Sequence, residues 1–404
     1  MYNFDKAINR SNTNSVKWDK EAIKGICGNE NALPFWVADM DLETSSAIYK
    51  AINNAAEFGV VGYPKDGDSL VSLFSGFVKQ RHNYEIDENL TTYTQGMLHG
   101  IALAVSVFSA KKDGVYVPTP CYRPFHTIVD NLERRYIPSP LSYSNGSFSL
   151  DKERFLKDSK DAKIILFCSP HNPSGVVFSK EELAFVLKTA KERKQLVISD
   201  EIHADLTHPS ITHYPMGLVN EEINADCITF FAPSKTFNVA GEHFGMAVFS
   251  SKALFDSFKK AQEGLWLTSP GYFALEIGKA AYSNSLDHNR ELSTYLEENK
   301  NFIKDYLAKE LPSLKLTNAE ASFVCFIDCK EIMDKVLAFK EKNPTLFPNE
   351  AVLSHFFGTQ AGLCFNDGTW FGPEYGQFIR FNYGTSRERV SFALNRMKEA
   401  IDLL

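Results

Sequence analysis

Leu196-Val-Ile-Ser-Asp-Glu-Ile-His203 is the stretch on which the reading of this chain turns. An apolar, β-branched run with no polar alternation reads as a strand buried on both faces, and it closes on an acid, Asp200. The same pattern occurs on either side. Ile164-Ile-Leu-Phe-Cys168 runs into Ser169-Pro-His-Asn-Pro-Ser-Gly175, and Cys227-Ile-Thr-Phe-Phe231 runs into Ala232-Pro-Ser-Lys-Thr-Phe-Asn238. Open α/β sheets bind ligands at the carboxyl ends of their strands, so Asn172, Asp200 and Lys235 are candidates for one site. Taken singly each is ordinary. Asn-Pro-x-Gly is a turn, an acid after a strand caps a helix, and a lysine after serine is commonly solvated.

Working outward, the strands predicted are Gly114–Val117, Arg135–Ile137, Lys163–Cys168, Gln195–Ser199, Asp226–Phe231 and Gly245–Phe249. Helical periods separate them at Met97–Ser109, Phe125–Leu132, Lys180–Arg193 and Lys252–Glu263. Alternating strands and helices predict an α/β fold with a mainly parallel sheet sandwiched by helices. Beyond it lies a long polar helical stretch, Asp287–Leu311, closed by Pro312. The remainder reads strand, strand, helix, helix, strand, helix and ends on the amphipathic Arg387–Leu403. The first 45 residues show few helical periods and read as an arm. Three sections follow: an N-terminal arm and part of a small domain (1–48), a large domain (49–286) and a C-terminal α+β small domain (287–404), so the small domain draws on both chain ends.

The 404 residues are 44% hydrophobic and 23% charged, with net charge −7, which excludes a disordered chain and argues against nucleic-acid or anionic-membrane partners. The seven cysteines show no CxxC and no cysteine–histidine cluster with metal-site spacing, so no metal is expected. The N-terminus lacks the apolar core of a signal peptide. The longest apolar stretch, Ile101–Phe108, falls far short of the ~20 residues that span a bilayer. A soluble cytoplasmic enzyme is expected.

In the order Asn172, Asp200, Lys235, the three strand ends resemble the fold-type I pyridoxal-phosphate (PLP) enzymes, the aspartate aminotransferase superfamily. Asn14-Ser-Val-Lys-Trp-Asp19, Leu33-Pro-Phe-Trp-Val-Ala-Asp-Met-Asp41, Gly62-Tyr-Pro64, Ser199–Leu206 and Pro233–Gly241 narrow the resemblance to the MalY/PatB-like cystathionine or cysteine-S-conjugate β-lyases. It covers nearly the whole chain and implies a seven-stranded-type large-domain sheet. It also implies roles. Lys235 would hold PLP as a Schiff base and act as acid and base, Asp200 would face the pyridine nitrogen, and Asn172 the ring's phenolic oxygen. Tyr122 would stack on the ring. His203 would stand beside Asp200 as support for it or as a packed histidine without a proton role. Gly96, Met97 and Leu98 open a helix whose N-terminus suits a phosphate, with Ser234 adding a hydroxyl. Tyr63 would reach the cofactor of a neighbouring subunit, implying a homodimer. Arg380 would take the substrate carboxylate, and Trp36 and Ala38 belong to the arm that closes over the substrate.

The pattern also departs from the superfamily. His243 stands where many members carry a phosphate-binding arginine, and Glu242, His99 and Arg123 replace neutral or apolar residues. The function implied is α,β-elimination from a cysteine S-conjugate to pyruvate, ammonia and a thiol. The alternatives are transamination of an amino acid, or a lyase-fold regulator that binds a protein partner.

Overall fold

The computed structural model describes residues 2–6, 8–65 and 69–404. Among these the central sheet has seven strands: β1 (Thr91–Thr94), β2 (Gly114–Thr119), β3 (Arg135–Pro140), β4 (Ala162–Cys168), β5 (Leu196–Asp200), β6 (Cys227–Phe231) and β7 (Gly245–Phe249). Their spatial order is β1-β7-β6-β5-β4-β2-β3. All neighbours are parallel except β7, which runs antiparallel to both β6 and β1. Six of these strands coincide with predicted runs. β1 is an addition, because Thr-Thr-Tyr-Thr at the sheet edge lacks the Val/Ile/Phe run that marks a central strand.

The period of two decides which side chains meet which helix. Ile164 and Leu166 of β4 share a core with Ile101, Ala104 and Val105 of the Met97–Phe108 helix. Ile165 and Phe167 face the other way, into a core with Leu183, Val186 and Leu187 of the Lys180–Arg193 helix. That second helix begins on a capping box, in which Ser179 Oγ accepts from Glu182 N and the Glu182 carboxylate accepts from Ser179 N.

β4, β5 and β6 lie side by side with Asp200 level with Cys168 on one flank and Phe230 on the other. The segments that follow them therefore emerge together at one edge of the sheet.

A second sheet contains β8 (Lys315–Leu316), β9 (Val324–Asp328), β10 (Asn366–Asp367) and β11 (Phe378–Asn382), antiparallel throughout in the order β8-β9-β11-β10. Leu292, Leu296 and Ile303 of the Leu286–Glu310 helix, and Val390, Leu394 and Met397 of the Arg387–Ile401 helix, bury against it. Phe35, Met40 and Leu42 from the chain's beginning enter the same core. The arm is more ordered than its sequence suggests. Lys20–Cys27 is a helix, N-capped by Asp19 accepting from Ala22 N at 2.8 Å and ended by Gly28 in the left-handed region. Eight residues carry too few turns for their periodicity to stand out.

Candidate active site

A cleft of about 340 Å³ opens where the three strand ends emerge. Ala38, Gly96, Met97, Leu98, Tyr122, Asn172, Asp200, His203, Ser234 and Lys235, drawn from six separate stretches of chain, all line it. Cys168, Ile202, Gln95, His99, Glu242 and His243 complete that wall with their neighbours.

Lys235 sits in the one-turn Pro233–Thr236 helix directly after β6. Its Nζ donates to the Ala38 carbonyl at 2.6 Å. Burial and the nearby Arg380 push its pKa down to about 8, with Asp39 and Asp200 opposing. An amine so placed is neutral in roughly a tenth of molecules at pH 7, far more than an ordinary lysine, and a nucleophile or base requires the neutral form. Asp200 ends β5. Its Oδ1 accepts from Ile202 N at 3.0 Å, and no cation pairs with the carboxylate among the described residues. Burial lifts its pKa to about 7, with the Ile202 N–H and Lys235 pulling the other way.

Arg380 projects from β11 at 5% exposure. Its Nη1 donates to Asn172 Oδ1 at 3.2 Å, and its Nη2 to the Trp36 carbonyl at 2.6 Å and Asn366 Oδ1 at 2.7 Å. The guanidinium lies over the Phe371 ring at 5.0 Å, Nε has no partner, and no carboxylate pairs with it among the described residues. Burial lowers its pKa to about 10, far too high to shed its charge at neutral pH. A buried guanidinium without a counter-anion is suited to receiving one.

His203 Nδ1 meets Ser322 Oγ at 2.9 Å while its Nε2 is buried without a partner. Burial, with Lys235 and Arg380, holds its pKa near 3, so the ring is neutral. Tyr122 is the residue before the Arg123–Asn131 helix, steadied edge-on by Phe125 at 5.9 Å. Gly96 precedes the Met97–Phe108 helix at φ +96°. A side chain there would be strained and would project toward His243, whose Cβ lies 3.4 Å from the position of an added Cβ.

Three predicted residues stand apart from the lining: Arg380, which reaches the wall only at Asn172, together with Trp36 and Tyr63. Trp36 turns its indole away, Nε1 donating to the Lys17 carbonyl at 3.0 Å and the ring meeting Trp370 edge-on, so only its backbone reaches Arg380. Tyr63 is fully exposed and outside its own chain's cleft. Sequence reasoning missed Asn366 and Ser322, which hold Arg380 and His203. Neither lies in a motif, and each meets its partner only through the fold.

PLP, the group implied by the resemblance, fits this donor set. Asp200 is a buried carboxylate lacking a cation, Lys235 a buried amine of lowered pKa, and Tyr122 a flat ring in the wall. The helix opening at Gly96 offers N–H groups in a cradle that a Cβ would narrow.

Residues 36–396 match the sequence profile of the aminotransferases of class I and II. The chain is 30% identical to cystathionine beta-lyase PatB of Bacillus subtilis strain 168, over 99% of this chain and 100% of that protein. It is 25% identical to protein MalY of Escherichia coli K12, over 99% of each. Among solved structures it resembles the PLP-bound C-S lyase of Staphylococcus hominis, with TM-score 0.87, 27% identity and coverage of 99% and 98%. It also resembles the cystalysin of Treponema denticola, which contains a pyridoxal 5'-phosphate cofactor, with TM-score 0.89, 27% identity and full coverage of both chains.

Proposed function

Because the chain belongs to the class I and II aminotransferase family, we propose that it is a PLP-dependent carbon–sulfur β-lyase acting on cystathionine or another cysteine S-conjugate. The observation that carries this reading is the convergence of Lys235, Asp200 and Tyr122 on one cleft with Arg380 hydrogen-bonded to its wall at Asn172. Similarity along the full length to proteins named for that activity supports it.

When bound, PLP supplies an aldehyde carbon and an electron-withdrawing ring that stabilises negative charge at the substrate's Cα. Asp200 would face the ring nitrogen and favour its protonated form by charge. Asn172, whose Oδ1 is engaged by Arg380, has its amide N–H groups available for the ring oxygen. Met97 and Leu98 offer backbone N–H groups, and Ser234 a hydroxyl, to the phosphate. Arg380 binds the substrate carboxylate through its guanidinium fork. Lys235 Nζ takes the proton from Cα, and the thiolate departs from Cβ. Pyruvate and ammonia follow from hydrolysis of the remaining three-carbon fragment.

We divide the chain into a cofactor-holding unit, 49–286, and a smaller unit drawn from 1–48 and 287–404. The core shared by Phe35, Met40 and Leu42 with the Leu286–Glu310 and Arg387–Ile401 helices supports the second. The partner proposed is a second copy of the chain. Tyr63 with exposed Phe58, Val60 and Val61 forms one apolar face for it, and Leu265 and Trp266 another, with Tyr63 reaching the neighbour's phosphate site. No helix of the described residues is long and apolar enough to cross a membrane. Seven free, buried cysteines are in keeping with a reducing cytoplasm.

Incubation with cystathionine, with pyruvate and thiol measured, tests the activity. Both products are expected, and neither, from protein showing a visible PLP absorbance, would overturn the reading. Conversion to the pyridoxamine form without pyruvate would point to transamination instead.

A further inference from the structure

The Asn14-Ser-Val-Lys-Trp-Asp19 segment carries part of the family resemblance yet lines none of the cleft. Its Lys17 is nevertheless only 1% exposed. A buried ammonium is costly unless it is paired and hydrogen-bonded, so its position needs a cause. Lys17 Nζ lies 3.2 Å from Asp41 Oδ2 and 3.7 Å from Asp39 Oδ1, and donates to the Asp39 carbonyl at 3.1 Å. Its own carbonyl accepts from Trp36 Nε1 at 3.0 Å. One residue thus grips the Trp36–Asp41 loop at both ends. Arg10 reinforces the grip with two 2.8 Å bonds to the Asp39 carboxylate, and Arg389 reaches Asp41 at 3.3 Å.

Between the two grips, Ala38 lines the cleft and the backbone carbonyls hold side chains beside it. The Trp36 carbonyl accepts from Arg380, the Ala38 carbonyl from Lys235, and the carbonyls of Val37 and Asp39 from Asn382. These bonds are short-ranged, so a shift of the loop by about 1 Å would break them.

We propose that Lys17 is a positioning residue for the active site. By fixing both ends of the Trp36–Asp41 loop, it sets where the carbonyls of Trp36 and Ala38 stand, and through them where Arg380 and Lys235 rest. The inference rests on the roles given to Arg380 and Lys235 above. Burial lowers the Lys17 pKa, and its two aspartates oppose that.

The test uses holoenzyme of Lys17→Met, with glycine as a probe that carries only the amine and carboxylate. Its dissociation constant is read from the visible spectrum, and amide exchange at residues 36–41 is followed in parallel. Expected are an approximately tenfold weaker glycine affinity and at least ~10-fold faster exchange, with Lys17→Arg closer to the unsubstituted protein. A variant that melts earlier yet binds glycine and exchanges like the original would overturn the proposal, since a merely structural lysine would behave so. Should Lys17→Met fail to fold, Arg10→Gln loosens the same loop from its half-buried side. An approximately threefold change in both quantities is expected, and none would overturn the proposal. Absence of visible PLP absorbance in the unsubstituted protein would instead defeat the functional reading, while the exchange comparison would still decide the grip.

Discussion

Asp200 and Asp205 lie five residues apart, are both almost fully buried, and live in opposite circumstances. Asp205 is saturated. His82 Nε2 meets Oδ1 at 2.7 Å, Thr236 Oγ1 donates to Oδ2 at 2.8 Å, and its carbonyl accepts from Arg81, Asn289 and Ser293. Burial pushes its carboxyl up, but His82, Arg81 and Thr236 outweigh that and hold it below the usual range. Asp200, with one backbone N–H, is pushed up to about 7. The next residue along the helix after β6 repeats the division: Lys235 faces the cleft while Thr236 faces Asp205. A carboxylate satisfied by its own chain holds the frame, and one left wanting a cation is open to a ligand.

The sharpest way to break the comparison is to exchange the neighbours Lys235 and Thr236. Lys235→Ala should abolish the visible cofactor absorbance and cost at least ~10²–10⁴-fold in turnover, as removal of a proton-transfer group does, while the chain remains folded. Thr236→Val should do the reverse. It should cost about 1.5–3 kcal/mol in urea denaturation with turnover per folded molecule within about tenfold. Equal losses of turnover would erase the distinction.

Arg380→Lys keeps the charge but loses the fork, and a rise of about 10–100-fold in KM with a smaller change in kcat is expected. Steady-state kinetics against a carboxylate-bearing substrate would show it.

The smallest effect is in stability against pH for the cofactor-free protein. Asp200 has its folded pKa raised to about 7, so between about pH 4 and 7 the folded state holds a proton that the unfolded chain has released. Stability from this group therefore falls as pH rises through that window. Lys235, lowered to about 8, acts on the other side. Between about pH 8 and 10 the unfolded chain holds the extra proton, so stability rises with pH there. Asp200→Asn should remove the first limb, gaining on the order of 2 kcal/mol relative to the original at pH 8 compared with pH 5, by urea titration at the two pH values. A constant difference across that range would mean that the carboxylate is not strained.

How far the site could be seen in advance follows from these same residues. Asn172, Asp200 and Lys235 were legible because each falls within four residues of the end of an apolar run, and the strand-end rule needs only local sequence. Arg380 was legible through the family resemblance, which gives it the substrate carboxylate. The β1 strand and the Lys20–Cys27 helix were not, the one too polar and the other too short for its period to show. Nothing local marks Asn366 or Ser322 either, since the residues they hold lie 14 and 119 positions away in the chain.

The sequence by itself determined the α/β alternation, the three strand ends and the chemical types gathered there, because burial period and turn chemistry act over a few residues. Only the tertiary structure decided which of two nearby buried aspartates is satisfied and which is left open. It alone decided that the indole of Trp36 turns from the cleft onto Trp370 and the Lys17 carbonyl while its own carbonyl serves Arg380, and that Lys17 grips the loop beside Lys235. Those outcomes depend on partners far apart in the chain, and satisfying a buried polar group depends on which partners the packing brings within about 3 Å of it.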